Sequence, residues 1–247
     1  MDTATKNAQI TPNEKLLYTQ FRRKINNEAA RAQIKKLEYD LADEKAGLNY
    51  LKTACTDANS LGLGAVCAMP CFVKQCAVYL GMQRKCSLVA CVGAPRGGDV
   101  TEIKVKAVKR AIKDGADEAE VTAPTAHIRE GNFSYVRKEF RKLRSATKNK
   151  SLRIDLQCNM LTVEEIKRAC LIAAECRVNS IRLSGSNGIE SIAAVKAAVK
   201  DKCTIKSEGV ATVLEMSSSI DMGATVVGSK NAADVARAIM TAAEAEI

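Results

Sequence analysis

The stretch "TEIKVKAVKRAIKDGADEAEVTAP", residues 101–124, holds two periodicities back to back. Over 101–115, Ile103, Val105, Ala107, Val108, Ala111 and Ile112 recur at helical spacing, predicting a helix with a broad buried face and Gly115 as its C-cap. Over 118–124 the period falls to two. Ala119, Val121 and Ala123 share one face, Glu118, Glu120 and Thr122 the other, and Pro124 ends the run. An amphipathic helix feeding a short strand is one half of a repeating parallel β/α unit.

The same unit returns along the chain. Strands are predicted near 36–41, 63–69, 87–93, 118–124, 152–158, 179–184, 203–208 and 224–229, with helical patterns between them. "TVEEIKRACLIAAEC" (162–176) opens on Thr162 with Glu165 three residues on, a capping box in which each residue satisfies an orphan backbone donor. Pro70, Pro95 and Pro124 each close a strand, where a missing N–H turns the chain outward. Strands and helices alternating eight times predict an α/β fold, a closed (β/α)8 TIM barrel rather than an open sheet. The barrel is assigned to 36–247 and a helical extension to 1–35. In the extension Thr11-Pro12-Asn13-Glu14 marks a helix start, and Leu17, Phe21, Ile25 and Ala29 follow at helical spacing. This extra N-terminal helix is expected to cover the barrel.

A chain of 247 residues suits one such barrel. The hydrophobic fraction of 47% supplies a core, and aromatics at 4% with no Trp make that core aliphatic. The ten cysteines lie mostly inside apolar runs, as Cys91 does in "LVACVG". No CxxC or CxxH spacing occurs and His127 is the single histidine, so no metal site is expected. Thiols used as small hydrophobes predict a reduced, cytoplasmic protein. No apolar signal region opens the chain and no run approaches the ~20 apolar residues of a membrane span, so no membrane partner is expected. The net charge is +10, and "RKEFRKLRSATKNK" (137–150) sets seven cations against Glu139. That face, or the N-terminal helix, is expected to meet an acidic protein. No basic–aromatic motif supports nucleic acid.

Alternation within the strands places charge. In "LRIDLQC" (152–158) Arg153, Asp155 and Gln157 oppose Leu152, Ile154, Leu156 and Cys158. In "NSIRLS" (179–184) Arg182 opposes Ile181 and Leu183, and in "CTIKSE" (203–208) Lys206 and Glu208 oppose Ile205 and Ser207. Strands wrapped by helices bury both faces, and the larger apolar side chains meet the helices. Arg153, Arg182 and Lys206 are therefore expected in the lumen against Glu120, Asp155 and Glu208. A barrel built for stability alone fills its lumen with Val, Ile and Leu. Buried charge needs pairing and is often no better than apolar packing, so six charges point to a present or ancestral active site.

Taken in order, "GAVCAMPCFV", "CVGAPRGGDVTEIKVKAVKRAIKDGADEAEV", "LRIDLQCNMLTVEEIKRAC", "SIRLSGSNG" and "IKSEGVAT" resemble the deoxyribose-phosphate aldolase family over roughly 36–240. The most specific part runs from Gly93 to Glu118. The resemblance implies a metal-free, cofactor-free class I aldolase. In such a barrel a lysine on strand six forms a Schiff base, a lysine on strand seven tunes it, and a strand-four acid moves protons. Carried onto this sequence, Arg182 stands at the Schiff-base position, Lys206 at the tuning lysine and Glu120 at the acid. Arg153 matches a strand-five lysine, and Glu38 a first-strand acid. The implied phosphate positions are Gly188, Gly209, Gly228, Ser229, Lys230 and Asn231, with Val210 in place of a second glycine. Glu208 stands where the family has a small residue, a like charge set against phosphate unless it turns to Lys206.

Schiff-base chemistry needs a neutral amine, whereas a guanidinium stays protonated with its lone pair delocalised. Cleavage of 2-deoxyribose 5-phosphate is therefore expected to be lost or severely weakened. The protein would be kept for binding: a phosphorylated sugar or other small anion, or an acidic cytoskeletal partner such as actin. Two alternatives stay open. Lys206 could be the nucleophile, its pKa lowered by the neighbouring Arg182, or Arg153 and Arg182 could hold an anionic substrate for another metal-free reaction. The family also suggests a homodimer. His127 is read as a surface loop residue, Cys67 as a packing thiol, and "PRGGD" (95–99) as a turn.

Overall fold

In the computed structural model, which describes residues 26–43, 46–185 and 188–245, eight parallel strands close into a barrel in chain order. They are β1 (Leu37–Asp40), β2 (Ala65–Ala68), β3 (Ser87–Val92), β4 (Glu118–Thr122), β5 (Ser151–Gln157), β6 (Ser180–Ser184), β7 (Thr204–Ser207) and β8 (Val226–Ser229). Seven fall inside their expected windows, and β5 begins one residue before its window, at Ser151. β1 carries the weakest sequence pattern, yet it closes the barrel by pairing Glu38 with Ala65 of β2 and with Gly228 of β8. A helical segment over 26–34 (α1) precedes it.

The outer ring comprises α2 (Leu48–Leu61), α3 (Val73–Leu80), α4 (Thr101–Lys113), α5 (Thr125–Arg129) and α6 (Phe133–Ala146), then α7 (Val163–Glu175), α8 (Gly188–Val199), α9 (Val213–Asp221) and α10 (Ala232–Ala245). Strand residues that alternate outward meet these helices. Leu152, Ile154 and Ile181 pack with Phe140 and Ile192 on one side, and Leu37, Val66 and Val227 pack with Leu51 and Ile239 on the other. The Thr162–Glu165 capping box forms in both directions at the start of α7. All ten cysteines are free, and only Cys71 is exposed. Among the described residues no helix is long and apolar enough to cross a membrane.

Three local expectations need correction. The buried stripe of α4 is Thr101, Lys104, Val108 and Ala111, while Ile103 is 50% exposed. The reason is a partner in space: Lys104 Nζ donates to Glu139 Oε1 of α6 at 2.8 Å and to the Thr122 carbonyl at 3.0 Å, and Thr101 Oγ1 donates to Glu139 Oε2 at 2.8 Å. A fully paired lysine can go where an isoleucine was expected. The C-cap of α4 is Asp114, and Gly115 follows it in the left-handed region at φ 111°. Finally, Leu17, Phe21 and Ile25 lie outside the described residues. Within α1 it is Ala30 and Ile34, not Ala29, that pack against the cluster holding Leu51 and Ile239.

Candidate active site

Parallel register sets the site. Glu120 pairs with Arg153 across β4 and β5, Asp155 with Arg182 across β5 and β6, and Arg182 with Lys206 across β6 and β7. Because side chains alternate, residues in register stack on the same face, and here that face is the lumen. Lys206 is fully buried, with Nζ donating to Glu38 Oε1 at 2.5 Å and to Glu120 Oε2 at 3.0 Å. Arg153 Nη1 reaches Glu38 at 2.8 Å and Glu120 at 2.9 Å, and its Nη2 lies 2.6 Å from Glu118. Arg182, with its side chain 14% exposed, is the outermost of the three cations. Its Nη1 donates to Glu120 Oε1 at 2.7 Å, its Nε donates to the Glu208 carboxylate, and Asp155 Oδ1 lies 3.8 Å from that Nε. Glu120 thus holds all three.

The charge states follow from these contacts. Burial alone would raise the Glu120 carboxyl, but Lys206, Arg182 and Arg153 together hold it well below the usual range. Burial alone would depress Lys206, yet Glu120, Glu38 and Glu208 keep its ammonium well above the usual lysine value. Arg182 is likewise held above the ordinary arginine range, with burial outweighed by Glu120, Asp155 and Glu208. Two carboxyls go the other way. Asp155 is raised, chiefly by burial with Glu120 adding to it against Arg182. Glu208 is raised by burial and by Asp40, against Lys206 and Arg182.

No family model matches the chain. Curated proteins do match it, among them deoxyribose-phosphate aldolases from two bacteria. The one from Finegoldia magna is 29% identical over 204 residues, covering 80% of this chain and 95% of that protein. The one from Clostridium botulinum is 30% identical over 200 residues, covering 78% of this chain and 94% of that protein. The chain belongs to the deoxyribose-phosphate aldolase family. Its fold is also that of a solved aldolase called QR15, with a TM-score of 0.79 at 21% identity over 84% of this chain and 96% of that one.

As a member of the deoxyribose-phosphate aldolase family, the chain has its expected phosphate positions in scattered circumstances. Gly209 adopts φ 79° just after β7, and the Val210 amide donates to the Gly228 carbonyl at 3.2 Å, tying the loop after β7 to β8. At Gly228 an added Cβ would stand 2.8 Å from Lys206 Cε and 3.3 Å from Glu208 Oε2. The glycine therefore makes room for the protein's own side chains. The Ser229 hydroxyl accepts from the Asn231 amide at 3.0 Å, and Lys230 Nζ reaches Asp43 at 3.2 Å. Gly188 opens α8, and residues 186–187 before it lie outside the described residues.

Sequence reasoning underrated β1. Glu38 is a central partner of Lys206 and Arg153, and Asp40 neighbours Glu208. The alternation in "LEYD" (37–40) carries the same signal that revealed the other strands. The opposite side of the lumen is apolar, lined by Ala65, Cys67, Val89 and Cys91, with Ala42 and Met69 packed against it. Glu38, Cys67 and Glu120 do bring possible metal-ligand atoms within 4.8 Å of one another. Arg153 and Lys206 already occupy those carboxylates. The Cys67 thiol is pushed well above its usual range by a hydrogen bond with the Cys91 thiol, by burial and by Glu120, so it is a poor ligand. His127 lies on α5 rather than a loop and stacks on Tyr135 with ring centroids 3.8 Å apart.

Proposed function

We propose that this chain keeps the barrel and ionic lumen of the deoxyribose-phosphate aldolase family without its imine chemistry, and acts by binding. One observation carries the reading: both bases placed for the reaction are locked as cations. Arg182, at the position the resemblance gives to the Schiff-base lysine, has no lone pair to offer a carbonyl. Lys206 lies among three carboxylates, and an ammonium so held is no nucleophile at neutral pH. Losing a covalent nucleophile lowers turnover by about 10⁶ in a serine hydrolase, a scale that would leave little residual cleavage. The Glu208 carboxylate against Gly228 further supports loss of sugar-phosphate binding there, since it fills the place with the protein's own anion. Its turn toward Arg182 and Lys206 reduces direct repulsion of a phosphate but also occupies the cations that would attract one.

The competing reading is an active aldolase using Lys206, favoured by the register that places it beside Arg182. Incubation with acetaldehyde or 2-deoxyribose 5-phosphate followed by borohydride reduction separates the two. No mass adduct is expected, and an adduct on Lys206 would establish the lyase instead.

A protein partner belongs to the same proposal. Within 137–150, Arg137, Lys142 and Lys150 are engaged by Glu175, Glu102 and Asp117, and Arg144 donates to the Lys148 and Lys150 carbonyls in the turn after α6. Lys138, Arg141 and Lys148 remain exposed, and these are the residues an acidic filament such as actin would meet. Reversing the charges of Lys138 and Arg141 should then abolish co-sedimentation. The free cysteines support a reduced, cytoplasmic setting for this role.

A further inference from the structure

Each strand from β2 to β8 is reached from a helix, and in a parallel barrel these connections all lie at the end opposite the lumen mouth. Every one of them contains a residue in the left-handed region. Before β2, β3, β4 and β8 it is a glycine: Gly62, Gly81, Gly115 and Gly223. Before β5, β6 and β7 it is Lys148, Arg177 and Lys200, at φ 54°, 58° and 52°. A side chain strains that backbone where glycine does not. Adjoining connections thus hold cations at positions where the backbone favours glycine. All three are exposed, as is Lys202 beside them, and none of the four side chains has a hydrogen bond or ion pair among the described residues. The acids of these connections are already paired, Glu175 with Arg137 at 2.8 Å and Asp201 with Lys196 at 3.1 Å. The pull of a helix C-terminus on cations is not a sufficient reason for the patch. In α6 and α8 it is met from within the helix, where Arg144 donates to the Lys148 and Lys150 carbonyls and Lys196 to the Lys200 carbonyl.

We propose that this face, at the foot of β5, β6 and β7, docks an acidic stretch of polypeptide on Lys148, Arg177, Lys200 and Lys202. This rests on the reading of the chain as a binding protein and adds a second surface to the outer side of α6, sharing only Lys148 with it. Charge complementarity sets the class of partner. Unpaired cations gathered in one patch attract a run of carboxylates, and lysine, a flexible point charge, suits carboxylates of variable spacing. Besides the cations, the exposed residues on these connections are Asn149, Asn179 and Asp201. They offer no aromatic ring on which a nucleic-acid base could stack and no apolar side chain to enter a lipid surface. The patch lies at the far end of the barrel from Glu208, so a docked segment leaves the mouth of the lumen open.

Fluorescence anisotropy of a labelled polyglutamate peptide, titrated with the full chain at low ionic strength, tests this. Wild type should bind, with an affinity that falls as salt is added. Lys148→Gly, Arg177→Gly and Lys200→Gly together should weaken binding by about tenfold. The same triple variant should unfold at a midpoint about 3 °C higher, since glycine relieves the left-handed backbone. Weaker binding in a more stable protein is a result that a role in folding alone would not give. Should the glycines disturb folding, Lys148→Asn with Arg177→Asn and Lys200→Asn removes the same charges with a residue that tolerates this backbone. Lys138→Glu with Arg141→Glu, on α6, should leave most of the polyglutamate binding in place. No binding by wild type, equal binding by the triple variant or equal weakening by the α6 variant overturns the proposal. A triple-variant midpoint below wild type does so too, because the cations would then serve the fold. Tighter binding of duplex DNA or of phosphatidylserine vesicles than of polyglutamate also overturns it, giving the face to another class of partner. Borohydride trapping and the α6 co-sedimentation test read other groups, so the readings fail separately.

Discussion

Arg182 and Lys206 are partners in register on neighbouring strands, and they share the two oxygens of one carboxylate. Arg182 Nη1 takes Glu120 Oε1 at 2.7 Å and Lys206 Nζ takes Oε2 at 3.0 Å. Two cations side by side would repel; Glu120 between them makes the pair stable and fixes both as charged.

Replacing Glu120 should therefore be severe. Glu120→Gln leaves Arg153, Arg182 and Lys206 without their common counter-ion in a buried site. Breaking a buried pair in this way costs about 3–5 kcal/mol, and three partners place the expected loss at the upper end of that range. Urea denaturation measures it, and a loss under about 1 kcal/mol would mean that the network does not hold the barrel together.

Restoring a lysine at the Schiff-base position should not by itself restore the reaction. In Arg182→Lys the new amine faces Glu120, Asp155 and Glu208, which would keep it protonated. Borohydride trapping with acetaldehyde should stay negative in the single variant and turn positive when Glu208→Ser is added. Efficient trapping by the single variant would mean that the guanidinium is the sole barrier.

The glycine at the end of β8 offers a steric test. Gly228→Ala would press a methyl group to 2.8 Å from Lys206 Cε. Lys206 cannot yield easily because Glu38 and Glu120 fix its ammonium. Overpacking of this kind costs about 1–3 kcal/mol, and thermal unfolding should register it as a lowered midpoint. An unchanged midpoint would show slack around Lys206.

The outer pair of Lys104 and Glu139 separates pairing from packing. Lys104→Ala abandons a buried carboxylate and should cost about 3–5 kcal/mol, whereas Lys104→Met with Glu139→Leu should be neutral or stabilising by about 1–4 kcal/mol. Chemical denaturation of both variants decides. Equal losses would mean that the pair is needed for the fold in itself.

The pH profile has opposing parts. Glu120, held low in the folded state, contributes stability above the unfolded carboxyl value near ~4.3 that disappears as pH falls through its folded pKa. Glu208, held high, contributes stability present below that value and lost as pH rises through its own raised pKa. Wild type should thus fare better against Glu208→Gln at pH 4 than at pH 7. Thermal midpoints of both proteins across that interval check the sign; a constant gap would mean that Glu208 titrates normally.

The sequence by itself determined the barrel, because the switch between a period of two and a helical period recurs at every β/α unit and needs no knowledge of contacts. It also determined which strand residues share the lumen, since alternation assigns Arg153, Arg182 and Lys206 to one side. What it could not set was who holds whom. Glu38 joined the centre only through closure of β1 onto β8, a relation between residues far apart in the chain. Lys104 went inward because α6 brought Glu139 to it, overruling the hydrophobic pattern of its own helix. The inward turn of Glu208 is a tertiary fact of the same kind. Periodicity is local and survives in one dimension; charge pairing depends on distance in three, and only the folded chain supplies it.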